Sequence, residues 1–410
     1  MNEAMVLIAL VFLITALLMT IPLMINGIAF IDAFFETTSA VTTTGLSTLP
    51  GMENLPFIFS FSRSWMQWYG GLGIVVFSLA LVVRPGMAAL RLASLDESDD
   101  LVGGTRAHAQ RIITIYSILT LCGIGGWLIL GGSLRNGVLY ILSAVSTGGF
   151  APSSGSFADL PNLHLAWVVT LTSLAGAIPL ALYQQSWRNG PLALITHVEF
   201  RLLLTLVIGL TTMMAIIMWA HGFTTTQALH HAPLMVLSAQ TTAGFSSLDT
   251  QALSSGSKGV LILAMLIGGG VGSTAGGFKL MRLLILLGLI LHFMRSMCVP
   301  TNTVLHQKLG KRAVAASEVQ DALMIILLFI TAIFLSWIPF LIYDYPPLDA
   351  LFEVVSATAT VGLSSGITQS SLPATLKTVL CIDMFLGRLE CVVWLVFFYH
   401  RTWFGRKRDN

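Results

Sequence analysis

The stretch Ser39 to Ser47, SAVTTTGLS, recurs as SAVSTGGFA at Ser143 to Ala151, as SAQTTAGFS at Ser238 to Ser246 and as SATATVGLS at Ser356 to Ser364. Each copy ends an apolar segment such as Ile31 to Val41 or Ala350 to Thr360. A helix of about 11 residues covers roughly 16 Å, half the hydrocarbon thickness of a bilayer. Each copy then runs into a Gly/Ser/Pro-rich stretch, so each reads as a chain that dips into a membrane and returns. Four such loops can ring one axis, and cation filters are built from loops of this kind.

Composition supports a bilayer setting. Of 410 residues, 55% are hydrophobic and only 10% charged, which excludes a soluble globule of this size. Long apolar runs lie near 4–26, 64–83, 112–132, 161–183, 202–220, 259–272 with 280–294, 320–343 and 378–400. These predict eight spans of about 20 residues, and the weak strand alternation argues for helices over a barrel. The first run lacks a basic start and is too long for a signal peptide, so it is read as a spanning helix. Every Lys and Arg except Arg63, Arg135, Lys258, Lys377 and Arg388 falls on one side of this topology, which puts both termini in the cytoplasm. Cys122, Cys298, Cys381 and Cys391 show no C-x-x-C spacing and read as inert buried thiols.

The motif glycines Gly45, Gly149, Gly244 and Gly362 recur about every 100 residues, far beyond a solenoid period. The predicted fold is therefore all-α and membrane-embedded. It has four helix–pore loop–helix units, with eight transmembrane helices and four half-spanning helices in pseudo-fourfold arrangement around one pore. The units are 1–90, 91–190, 191–300 with a broken inner helix, and 301–410 with a C-terminal tail. The carboxyl end of each half-helix points to the membrane centre, where its partial negative charge favours a cation. Carbonyls can replace an ion's water shell only where extended strands approach one axis, which glycine permits. The candidate ion ligands are Thr43, Thr44 and Gly45; Thr147, Gly148 and Gly149; Thr242, Ala243 and Gly244; and Thr360, Val361 and Gly362. An oxygen-only lining suits a hard monovalent ion. The blander reading, small residues that let helices approach, does not account for four copies in register.

The third inner run is interrupted by Gly268, Gly269, Gly270, Gly272, Ser273, Thr274, Gly276 and Gly277, followed by Lys279. Each glycine costs a helix about 0.8–1 kcal/mol relative to alanine, so an irregular segment is expected at mid-membrane, facing the pore. A nucleotide-binding loop would need a preceding strand, and a packing kink is the other alternative. Asp32 and Asp349 precede their motif glycines by 13 residues, Glu36 and Glu353 by nine. The aspartates are expected to cap the short helices or to concentrate cations, and the glutamates to tie the loops in place. Trp68-Tyr69-Gly70-Gly71-Leu72-Gly73 reads as a close-packing stretch. Trp65, Trp187, Trp337 and Trp403 fit interfacial anchoring, and the acidic run from Asp96 to Asp100 fits a solvated surface.

The four loops, with GGGVGSTAGGFK from Gly268 to Lys279 and GRLE from Gly387 to Glu390, resemble the Trk/Ktr potassium uptake proteins, relatives of the plant HKT transporters, over essentially the whole chain. The resemblance implies one filter glycine per loop, Gly45, Gly149, Gly244 and Gly362, and potassium selectivity because Gly45 is not serine. It implies that the Gly-rich segment blocks the pore beneath the filter. It also implies homodimers on a ring of cytosolic RCK/KTN nucleotide-binding subunits, in a bacterial inner membrane, with no organic cofactor and no nucleic acid. The longer Trk proteins carry an extra helix pair before the first unit; with the first run read as the first outer helix, the resemblance implies the layout of the shorter Ktr form. Arg388, deep in a predicted span, is functional by default. It is expected to project under the filter and contact the Gly-rich segment, the alternative being an ion pair with Glu390 or Asp383. Inside loops 84–111, 186–201 and 295–318 are candidate docking surfaces. A sodium-selective or sodium/potassium-coupled transporter of the same architecture is the nearest alternative. An intramembrane enzyme using Asp383, Glu390 or a histidine would need facing catalytic pairs that the sequence does not show, so no enzyme is expected. A non-conducting receptor is a further alternative.

Overall fold

The computed structural model describes residues 2–50, 56–82, 104–298, 308–309, 312–399 and 403. Four times in succession a long helix is followed by a short helix, a loop and a second long or broken helix. The first set is α1 (Asn2–Ile25), α2 (Phe30–Val41) and α3 (Phe57–Val82). The second is α4 (Gly104–Ile129), α5 (Leu134–Val145), α6 (Leu163–Ala177) and α7 (Leu180–Asn189), with the small helix α8 (Leu192–Thr196) trailing it. The third is α9 (Val198–Ala220), α10 (Thr225–Gln240), α11 (Ser255–Ile267) and α12 (Leu280–Ser296). The fourth is α13 (Ala316–Ile342), α14 (Pro347–Thr358) and α15 (Ala374–Phe398), preceded by a two-residue antiparallel pair, β1 (Lys308–Leu309) and β2 (Arg312–Ala313). The acidic run at 96–100, loop 84–103 and most of 299–311 lie outside the described residues.

Among the described residues, four helices are long and apolar enough to cross a bilayer, and all are the leading helices α1, α4, α9 and α13. Their flanks are apolar and exposed, as at Leu7, Leu18 and Ile21 of α1 or Leu327 and Leu335 of α13. An apolar exterior over a polar centre is the arrangement a lipid solvent selects. The other expected spans are also helical, but in a different form. The second runs straight in the sequence reading over 161–183, yet α6 and α7 are bent by 86° across Ile178–Pro179. Pro179 has no N–H to continue the ladder, and the residue before a proline is pushed out of the helical region, here to ψ 139°. The third is split into α11 and α12. The fourth, α15, is kinked at Glu390, whose φ is 60°.

Local signals start the short helices. The Ser133 side chain accepts from the Asn136 N–H at the head of α5, and Thr224 and Gln227 form a reciprocal capping box on α10. Asp32 and Asp349 do not cap: α2 and α14 have no side-chain cap, and both aspartates bind lysines instead. Inner-helix glycines let the inner and short helices touch. A Cβ on Gly70 would meet Val41 O, one on Gly176 would meet Val145 O, and one on Gly387 would meet Thr358 O, in each case the last residue of that unit's short helix. The segment 186–201 forms the end of α7, α8 and the start of α9, with Trp187, Leu192, Ile195 and Val198 exposed.

Candidate ion filter and the loop beneath it

All four short helices end in the same turn. Thr44 N donates to Ser39 O (2.8 Å), Gly148 N to Ser143 O (2.8 Å), Ala243 N to Ser238 O (2.9 Å) and Val361 N to Ser356 O (2.8 Å). One step tighter, Thr43, Thr147, Thr242 and Thr360 donate to Ala40, Ala144, Ala239 and Ala357. This is the Schellman pattern that closes helices, in which glycine normally takes the left-handed position. Here threonine does, with φ of 55°, 53°, 55° and 51°. A β-branched residue is disfavoured there, and such strain, about 1–3 kcal/mol per residue, persists where surrounding structure imposes it and clusters at functional sites. The motif's serine thus supplies the carbonyl that closes the turn, and its alanine is fully buried in every copy.

Beyond the turn the four loops meet. A Cβ on Gly45 would collide with Gly148 O, one on Gly149 with Ala243 O, one on Gly244 with Val361 O, and one on Gly362 with Thr44 O. Each glycine therefore lies against the carbonyl oxygen of the next loop, and the fourth returns to the first. A closed ring of four loops results, in which any side chain at the motif glycine would displace a neighbouring backbone. The four threonines next to this ring are buried. The Thr43 and Thr360 hydroxyls have no hydrogen-bond partner among the described residues, whereas Thr242 Oγ1 accepts from Gly276 N at 2.8 Å.

Side chains nine positions before each glycine hold the outer leg of the loop. Glu36 accepts from Ser47 Oγ (2.8 Å), Tyr140 donates to Ser156 O (2.9 Å), Met235 Sδ takes Ser247 N (3.3 Å), and Glu353 takes Ser364, Ser365, Ile367 N and Thr368. The glutamates do tie the loops, as expected. Arg63 of α3 sits 2.5 Å from Glu36 and stacks over Phe150, 3.7 Å from the ring centre. Lys258 of α11 binds Asp349 of α14 at 2.7 Å, and Lys377 of α15 binds Asp32 of α2 at 2.6 Å. Both lysine pairs bridge one unit to the next.

Residues 268–279 lie on the inner side of the ring. The Thr274 hydroxyl is 3.0 Å from both Val145 O and Gly176 O, and Gly277 N donates to Ala359 O at 3.2 Å. Gly276 packs where a Cβ would meet Ala359 O and Thr360 Oγ1, and Gly268 abuts Gly277 at the neck of the loop. Gly270 N donates to Ala177 O, Ser273 Oγ to Gly270 O, and Lys279 Nζ to Ala275 O; Gly269 packs on Ala275, and Gly272 adopts φ 77°. The loop thus takes up carbonyls at the inner ends of α5 and α14. Arg388 is buried and donates from Nη1 to Thr274 O at 2.7 Å and from Nη2 to Gly70 O at 3.4 Å. The alternative ion pairs are not formed. Glu390 binds Arg282 with both oxygens at 2.7 Å, and buried Asp383 accepts from Ser336 Oγ at 2.5 Å.

Around this loop, sequence reading missed three contributors. Arg282 holds Glu390, and Glu199 at the start of α9 accepts from Val271 N at 3.1 Å. Gln240, at the end of α10, donates to Gly268 O at 2.7 Å. The only signal for them was their charge or polarity within otherwise apolar runs.

A helical membrane protein with four backbone loops closed on one another is the class these features define. The chain matches the TrkH family, described as cation transport protein, over residues 1–402. It is 30% identical over 408 residues to an uncharacterized cation transporter of Methanocaldococcus jannaschii, covering 97% of this chain and 82% of that one. It is 27% identical to the Trk system potassium uptake protein TrkH of Halomonas elongata, covering 94% of this chain and 82% of that protein. The crystal structure of the potassium transporter TrkH from Vibrio parahaemolyticus superposes with a TM-score of 0.88, at 22% identity over 98% of this chain and 86% of that one. This chain belongs to the TrkH family of cation transport proteins.

Proposed function

We propose that this protein takes up potassium ions through the ring of loops, with the carbonyls around Gly45, Gly149, Gly244 and Gly362 replacing the ion's hydration shell. The observation that carries this reading is the cyclic contact of each glycine with the next loop's carbonyl oxygen. That cycle supports a reading in which Thr44 O, Gly148 O, Ala243 O and Val361 O surround one centre, the arrangement that hydrates an alkali cation in place of water. The threonines at 43, 147, 242 and 360 offer hydroxyl oxygens on the inner side. Four short helices direct their carboxyl ends toward the same centre, which adds cation-favouring potential without a formal charge. Relatives named as potassium uptake proteins support potassium over sodium.

The segment from Gly268 to Lys279 acts as the gate, with Arg388 as its bolt. With the Thr274 hydroxyl on Val145 O, Gly276 N on the Thr242 hydroxyl and Gly277 N on Ala359 O, the loop occupies oxygens that would otherwise attract the ion, and the Arg388 guanidinium adds a fixed positive charge. In this reading the protein is a transporter with no enzymatic activity and no organic cofactor. It works as a homodimer in the bacterial inner membrane, both termini cytoplasmic, regulated by a cytosolic ring of RCK/KTN nucleotide-binding subunits. The basic inside loops and the exposed apolar residues of 186–201 support docking there.

The test is growth of a potassium-uptake-deficient bacterium at low external potassium, with rubidium uptake into proteoliposomes. Rescue by the wild type, potassium blocking rubidium uptake and a tenfold excess of sodium leaving it unchanged are expected. Sodium flux without rubidium flux would overturn the potassium assignment, and no cation flux at all would overturn the transport reading.

A further inference from the structure

We infer that Gln67, on inner helix α3, is a specificity-determining residue of the second loop. Gln67 is fully buried and lies on a different unit from the loop it touches. Its Nε2 donates to Gly148 O at 2.5 Å, and its Oε1 accepts from Phe150 N at 3.2 Å. The two bonds straddle Gly149, so one planar amide fixes the backbone on both sides of the motif glycine. A carboxamide is the side chain that can donate and accept at once in this way.

The loop sequences carry the counterpart of this contact. The residue before the motif glycine is Thr44, Ala243 or Val361 in the other loops, each with a side chain, but it is Gly148 in the second. A Cβ there would occupy the space of the Gln67 carboxamide, meeting its Cδ, Oε1 and Nε2. The missing methyl and the inserted amide are therefore complementary across 81 residues of chain. Gly148 O is also one of the four oxygens in the ring, the one against Gly45. Among the described residues no donor reaches Thr44 O, Ala243 O or Val361 O, so one ring oxygen of four shares its lone pairs with a protein N–H.

This inference rests on the filter reading above and specifies it. The ring is chemically unequal: three carbonyls are free to follow an ion inward, and the fourth is held at a set distance by Gln67. Selection against a smaller ion depends on the ring's failure to contract around it, so a held carbonyl raises the cost of sodium binding. Gln67 acts through Gly148 and is a positioning residue.

The experiment measures the potassium-to-sodium permeability ratio, from reversal potentials in planar bilayers, for wild type, Gln67→Leu and Gly148→Ala. Gln67→Leu keeps the volume and removes both bonds. Gly148→Ala displaces the amide from the other side. A drop of tenfold or more in the ratio is expected in both, with potassium current retained in Gln67→Leu. Gln67→Glu keeps the acceptor but not the donor when ionised and should fall at least as far. An unchanged ratio in whichever variants reach the membrane would overturn the role of Gln67 while leaving potassium transport standing. A wild type that carries no potassium would instead overturn the filter reading itself. A merely structural role would lower current and yield without moving the ratio.

Discussion

Threonine held in the left-handed region sets up a trade between stability and binding. Replacing Thr360 by glycine removes the strain at φ 51° and should stabilise the detergent-solubilised protein by about 1 kcal/mol, read as a higher melting temperature. The same change deletes a buried hydroxyl without a hydrogen-bond partner among the described residues, so rubidium affinity should fall severalfold in the same preparation. A variant that loses stability would show that Thr360 packing outweighs backbone strain. Gly362→Ala is the converse case, since its methyl would displace Thr44 O; uptake should drop at least tenfold. These positions were legible in the sequence because helix closure is local: a serine carbonyl, a small alanine and a glycine must recur at fixed spacing. Gln67 was not, because its partner is remote and a lone glutamine in an apolar helix has no periodicity to betray it.

Among the elements, the leading helices declared themselves by apolarity, whereas the inner ones hid behind their exceptions. The Pro179 bend had a readable signal, an Ile-Pro step inside an apolar run. The kink at Glu390 had none, since its cause is a tertiary ion pair with Arg282. Holding a glutamate at φ 60° costs about 1–3 kcal/mol, and the bidentate contact to Arg282 offsets it. The kink follows directly on the turn that carries Arg388 to Thr274 O. Arg282→Ala should therefore raise basal rubidium uptake by several fold, and Arg388→Ala by more. Equal flux in wild type and both variants would show that neither contact restrains the ion path.

For the molecule as a whole, the lysine pairs show what joins one unit to the next. Lys377 is buried against Asp32, and removing one partner of such a pair leaves an uncompensated charge at a cost of about 3–5 kcal/mol. Lys377→Met should lower the melting temperature markedly, and the added Asp32→Asn should restore most of it, a coupling that a double-mutant cycle reads directly. An additive pair would show that the bridge carries no stability. The sequence had set these lysines apart as basic residues on the wrong side of the membrane, but not their partners, because which units are neighbours is decided only when the ring closes.

That closure has a temporal meaning. The last loop completes the circle by placing Gly362 against Thr44 O, and Lys377 meets Asp32 across 345 residues. During synthesis the first loop must wait, unsealed, until nearly the whole polypeptide has left the ribosome. Nascent chains arrested before residue 343 should leave a cysteine placed at Leu46 open to a thiol reagent, and release of the full-length chain should shield it.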